Sequence, residues 1–220
     1  MTGSFVSPAT RQRVRDLATP IARGLGRLGL TPNALTVIGF LGTCVAAFAA
    51  VTQWWLAAGI LVLVFGIFDL FDGTLARATG RATKLGAFLD STLDRTGENL
   101  VYAGIAFGCA VAFYPLGAGL AGLALTFASV VTYTRAKAEV IGLHGEVGFA
   151  PREVRLVVLS VGLVACGLTG GVGPSGLLSL PPPEATGNLI LALALGVISV
   201  LGAITVIQRI LHVRAQSREG

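Results

Sequence analysis

Six apolar runs of about 20 residues recur along the chain, at 34–53, 55–77, 85–113, 117–140, 154–172 and 187–211. A run of that length crosses a hydrocarbon core of ~30 Å as a helix rising ~1.5 Å per residue. Within lipid the backbone polar groups must be satisfied inside the segment itself, and a helix does this. Charged residues make up only 12% of the 220 and hydrophobic ones 54%, with mean hydropathy +0.80; ordinary soluble domains carry roughly 25% charged residues. The sequence therefore predicts an all-α integral membrane protein. Six transmembrane helices form one bundle over 34–211, preceded by an amphipathic surface helix at 9–30, and residues 1–220 make a single domain. Short loops predict antiparallel neighbours.

Basic residues orient the bundle. The segments 1–33, 77–85, 135–155 and 209–220 fall on one side and contain every Lys and Arg except Arg95, whereas 52–55, 113–118 and 172–187 contain none. Under the positive-inside rule both termini are cytoplasmic, in a multi-pass protein of the cell membrane. The net charge of +5 and pI near 9.6 thus describe one membrane face, suited to anionic lipid headgroups, and no nucleic-acid pattern accompanies them. In residues 9–30, Arg11, Arg13, Arg15, Arg23 and Arg27 interleave with Leu17, Ile21, Leu25 and Leu28. That pattern suits a helix lying on the surface, with a basic topology-setting tail as the alternative, and it is not a cleaved signal. Thr31-Pro32 reads as an N-cap and first helical residue.

Several residues carry no chemistry on this reading. Cys44, Cys109 and Cys166 lie singly in three runs and read as packing residues. His144 and His212 are isolated, Trp54 and Trp55 suit an interfacial belt, and the Pro/Gly-rich 172–187 reads as an outer connector.

Against this background four aspartates stand out. Asp69 and Asp72 are three residues apart, Asp90 and Asp94 four, so on helices each pair projects from one face. Intramembrane carboxylates cost roughly 2.5–3.5 kcal/mol each on insertion scales and need positive charge between them. All-oxygen sites of this kind hold hard divalent cations, above all Mg²⁺ shared with substrate phosphates. The alternative is a stabilising ion-pair network with Arg77 and Arg95. Gly73 and Gly86, on the aspartate side of their helices, would let a ligand or facing backbone approach, and helix packing is the other explanation for them.

The run Asp69-Leu-Phe-Asp72-Gly73-Thr-Leu-Ala76-Arg77, eight residues, Gly86, three residues, Asp90, three residues, Asp94 resembles the CDP-alcohol phosphotransferase signature D-x2-D-G-x2-A-R-x8-G-x3-D-x3-D at every fixed position. That resemblance implies a membrane enzyme with six spans and an N-terminal surface helix, transferring the phosphatidyl group of CDP-diacylglycerol to an alcohol and releasing CMP. It implies that Asp69, Asp72, Asp90 and Asp94 hold two Mg²⁺ ions, with Mn²⁺ able to replace them, and that Asp94 is the catalytic base toward the attacking hydroxyl. Gly73, Arg77 and Thr83 would contact the nucleotide diphosphate, and the stretch Asn33, Ala34, Leu35, Thr36 the cytidine nucleotide. Asn33 and Thr36 also open the first span, and a helix N-terminus favours anions.

Arg135, Arg155 and Arg209 sit at the inner ends of the last three spans. Converging there, they would bind the phosphate of a phosphorylated acceptor, or they set topology. PIARGLGRLGLTPN, YTRAKAE with the following GLHGEVGF, and QR in the last span resemble the phosphatidylinositol phosphate synthase branch of the family, which implies inositol phosphate as acceptor. A phosphatidylglycerophosphate or phosphatidylserine synthase is the alternative within the family, and a carboxylate-lined Mg²⁺ transporter the alternative outside it. Similar proteins are homodimers, and Gly104 and Gly108 form a small-xxx-small pair of the kind that associates helices.

Overall fold

The structure is a computed structural model that describes Pro20, Gly24, Gly26 and residues 29–78, 82–176 and 186–219, with 69–74, 77, 78 and 219 placed by backbone alone. Among the described residues there are six helices and no strand: α1 (Pro32–Val51), α2 (Trp55–Ala78), α3 (Lys84–Val111), α4 (Pro115–Val140), α5 (Arg152–Leu168) and α6 (Thr186–Glu219). Each matches one apolar run. The surface helix expected at 9–30 falls for the most part outside the described residues.

Local chemistry sets the helix ends. Thr31 is extended and its Oγ1 accepts from the Ala34 backbone N–H at 3.2 Å, with Pro32 in the first turn, as the sequence predicts. α1 and α3 end in the same motif: Gln53 (φ 64°) and Phe113 (φ 56°) are left-handed, and the N–H groups of Trp54 and Tyr114 reach back to Ala49 and Cys109 carbonyls at 2.8 Å. α6 overruns its expected end at 211 because no Pro or Gly interrupts it before Gly220.

α1, α4 and α6 are long and apolar enough to cross a membrane, and α2 adds the shorter apolar stretch Trp55–Phe68. α3 is diluted by Asp90, Asp94, Arg95 and Glu98, and α5 has only 17 residues. The size distribution is that of a protein in lipid: the interior holds Ala46, Ala50, Ala58, Ala121 and Ala124, fully buried. Larger residues such as Tyr102, Ile105 and Leu163 fill the space between them, and many other large apolar side chains face outward, in stripes such as Val37, Leu41, Val45 and Phe48 on α1 or Leu189, Leu193, Val197, Val200 and Ile204 on α6.

Contacts run α1–α2–α5–α6–α4–α3 and back to α1, a closed ring. The sequence neighbours α2 and α3 flank α1 rather than pack along each other, and α4 and α5 likewise flank α6. Gly104 and Gly108 serve this ring. A Cβ at Gly104 would lie 2.5 Å from the Ala47 carbonyl oxygen and one at Gly108 2.2 Å from that of Ala50, so the pair is consumed in docking α3 on α1 within one protomer. Trp55 also departs from the belt reading: Trp54 is exposed, whereas Trp55 is 3% exposed and packs against Gly108 and Gly171. Cys109 and Cys166 are buried and unbridged, as packing residues should be.

Candidate active site

The aspartate face of α3 begins at its cap. Thr83 is extended, and its Oγ1 accepts from the Gly86 N–H at 3.0 Å. A Cβ on Gly86 would sit 2.9 Å from Asn33 Oδ1, so this glycine leaves room for the start of α1. Asn33, Thr83 and Gly86, far apart in sequence, are thus neighbours, and two helix N-termini meet beside the aspartates. Leu35 points inward at 1% exposure and packs with Leu75, so its side chain belongs to the core. Thr36 lines a cavity with Asp94 and Arg152.

Asp90 and Asp94 are partly buried on α3. Asp69 and Asp72 lie on α2 one to three turns before its end; their side chains, with those of Gly73's neighbours and Arg77, fall outside the described atoms. Among the described side chains no three His, Cys, Asp or Glu groups converge. The donor chemistry nevertheless fits a hard divalent cation: Asp90 and Asp94 offer only carboxylate oxygens, and Asp94 already holds a cationic group at 2.6 Å.

That group is Arg152, a residue the sequence reading passed over. Arg152 Nη1 donates to Asp94 Oδ2 at 2.6 Å. One turn further, Arg155 donates through Nε and Nη2 to Glu98 Oε1 and Oε2 at 2.9 and 2.8 Å. The two pairs form a ladder across the middle of the ring, joining α3 to α5. Its rungs differ in access: the Arg152 and Asp94 side chains are 32% and 23% exposed, those of Arg155 and Glu98 only 3% and 14%. Arg95, the partner expected in an ion-pair network, is exposed. The signal available in sequence was spacing, since acids at 94 and 98 face arginines at 152 and 155.

The three arginines expected at the acceptor do come together, around the α4–α5 loop, residues 141–151. Arg135 pairs with Glu139 at 2.9 Å and with Glu146 of the loop at 3.5 Å. Arg209 donates to the carbonyls of Val147, at 2.9 Å, and Val131. Arg155 Nη1 donates to the Ala150 carbonyl at 2.8 Å. Thr205 accepts from the Ala150 N–H at 3.0 Å, and Gln216 exchanges two hydrogen bonds with the backbone of His144. Gly148, at φ 125°, lies so close to Thr205 that a Cβ would come within 2.2 Å. Arg155 and Arg209 are buried at 2% and 7%, while the Arg135 side chain is 46% exposed.

A six-helix ring with carboxylates on α3, two helix N-termini near them and a loop held by arginines is suited to handling phosphates. The chain belongs to the CDP-alcohol phosphatidyltransferase family, whose sequence pattern matches residues 29–211. It is 38% identical to a phosphatidylinositol phosphate synthase of Cutibacterium acnes, over 89% of this chain and 91% of that protein. It is also 38% identical to an archaetidylinositol phosphate synthase of Pyrococcus horikoshii, over 69% of this chain and 78% of that protein. Among solved structures, the Mycobacterium tuberculosis phosphatidylinositol phosphate synthase in complex with manganese and citrate superposes with TM-score 0.74 at 31% identity, covering 89% of this chain and 88% of that one. The same enzyme with CDP-DAG bound gives 0.72 at 32% identity, covering 90% and 94%. Family membership sets the transporter alternative aside.

Proposed function

We propose that the protein transfers the phosphatidyl group of CDP-diacylglycerol to the hydroxyl of inositol phosphate, giving phosphatidylinositol phosphate and CMP. The observation that carries the acceptor is the convergence of Arg135, Arg155 and Arg209 on one loop, with Arg155 also bonded to Glu98 one helical turn from Asp94. Likeness over most of their length to inositol phosphate-type synthases supports it.

Asp69, Asp72, Asp90 and Asp94 would hold two Mg²⁺ or Mn²⁺ ions, which supply charge neutralisation for the diphosphate. Asn33, Ala34, Leu35 and Thr36 seat the cytidine, Leu35 through its backbone because its side chain is buried. Gly73, Arg77 and Thr83 contact the diphosphate, with the Arg77 fork suited to phosphate oxygens. Asp94 takes the proton of the acceptor hydroxyl. The hydroxyl oxygen bonds to the lipid-side phosphorus, the bond from that phosphorus to the bridging oxygen breaks, and CMP leaves with the electron pair. Arg135, half exposed, meets the acceptor phosphate first, while Arg155 and Arg209 fix the loop that walls its pocket.

All six helices span the plasma membrane, with both termini cytoplasmic under the positive-inside rule, and the protein forms a homodimer through its apolar outer stripes, since Gly104 and Gly108 are already used internally. An acceptor panel tests the function: purified protein with CDP-diacylglycerol should release CMP with inositol phosphate, and little with free inositol, serine or glycerol phosphate. Preference for glycerol phosphate or serine would move the protein to another branch of its family.

A further inference from the structure

The ladder between α3 and α5 has one closed rung and one open one. Glu98 and Arg155 are buried and doubly bonded, with Arg155 further held by the Ala150 carbonyl, so this rung keeps the two helices joined whatever happens above it. The Asp94–Arg152 rung includes a short contact between side chains that are 32% and 23% exposed, against 3% and 14% for the lower one. Arg152 lies in the walls of two neighbouring cavities, one lined by Thr36, Thr43 and Asp94 and the other by Thr43, Glu98 and Tyr102. A guanidinium leaving Asp94 therefore borders small cavities rather than close-packed core.

We propose that Arg152 and a divalent cation compete for Asp94, so that loading the metal centre displaces this guanidinium. The proposal rests on the metal reading of the four aspartates given above. A carboxylate half-sunk in a membrane bundle needs a positive partner at all times, and one that stays tethered on α5 supplies it whenever metal is absent. A dication brings more charge to the same oxygen and takes the guanidinium's place. Arg152 is then a positioning residue: it neutralises Asp94 when metal is absent and sets the metal affinity through competition, while taking no part in the transfer itself. A permanent structural pair would instead leave metal binding indifferent to how well residue 152 bonds to Asp94.

Mn²⁺ affinity of the full-length, detergent-solubilised protein, read from free Mn²⁺ by electron paramagnetic resonance, decides between these. Arg152→Gln should bind Mn²⁺ on the order of tenfold tighter than wild type, since it loses a charge-assisted hydrogen bond to Asp94. Arg152→Lys, which keeps the charge but not the planar fork, should fall between the two. Lys and wild type binding equally, in folded protein, would show that charge acts only at a distance and would overturn direct competition, and Gln binding no tighter than wild type would do the same. Asp94→Asn separates this failure from that of the metal reading. If wild type does not bind Mn²⁺, or binds it as Asp94→Asn does, Asp94 is no ligand and both readings fall together.

Discussion

Glu98 holds Arg155 through both carboxylate oxygens, at 2.9 and 2.8 Å, inside the bundle and one helical turn from Asp94. Such a pair is costly to break from one side. Glu98→Ala leaves a guanidinium at 3% side-chain exposure without its carboxylate, beside the Ala150 carbonyl and the Tyr102 hydroxyl. It should destabilise the protein by about 3–5 kcal/mol, the usual cost of an orphaned buried charge. Pairing it with Arg155→Met should recover much of the loss. Chemical denaturation in detergent of the single and double variants measures this, and additive losses would mean that the two residues do not act as a unit.

Gly104 gives a second test, of packing rather than charge. Its Cβ position lies 2.5 Å from the Ala47 carbonyl oxygen, which is backbone and cannot rotate away. Gly104→Ala should force α3 from α1 at a cost of about 1–3 kcal/mol, seen as a lower thermal midpoint. The oligomeric state on size exclusion should not change, because the glycine is buried within one protomer. Loss of dimer without loss of stability would put this face at a subunit interface instead.

The acceptor arginines divide by exposure. Arg135→Ala removes a group that is half open and, among the described residues, paired with the exposed Glu139 and Glu146. The acceptor KM should rise ~10–100-fold, with CDP-lipid affinity nearly unchanged, as expected for loss of one charge-assisted contact. Arg209→Ala also frees the carbonyls of Val147 and Val131 and should lower stability together with acceptor affinity. Normal kinetics in both variants would return these residues to a topological role.

The helices were legible because length and apolar content decide them: all six runs appear as helices, with ends shifted by a few residues where caps or a missing Pro or Gly intervene. The Thr31 cap was legible for the same local reason. The ring order was not, since hydropathy says which residues face lipid but not which helix lies beside which. Consequently Arg152 was missed as the partner of Asp94, and Trp55 was placed in a belt although Gly108 and Gly171 make a slot for it. For Gly86 the sequence leaves a ligand, a facing backbone or helix packing open, and the meeting of α1 with α3 sets Asn33 against it. The loop role of Arg155 and Arg209 was hidden too, because a bond to a backbone carbonyl leaves no trace in residue identity.

The most direct measurement is CMP release from CDP-diacylglycerol and inositol phosphate by the full-length protein, titrated with Mg²⁺ and Mn²⁺ from a chelated start. Wild type should be silent in chelator and saturate with metal. Asp72→Asn and Asp90→Asn, correctly folded, should stay silent at any metal concentration, because a neutral amide cannot balance a dication. Asp94→Asn should lose roughly 10²-fold or more in turnover through loss of its base. Undiminished release in chelator, or in Asp72→Asn or Asp90→Asn, would contradict a metal-dependent transfer built on these aspartates.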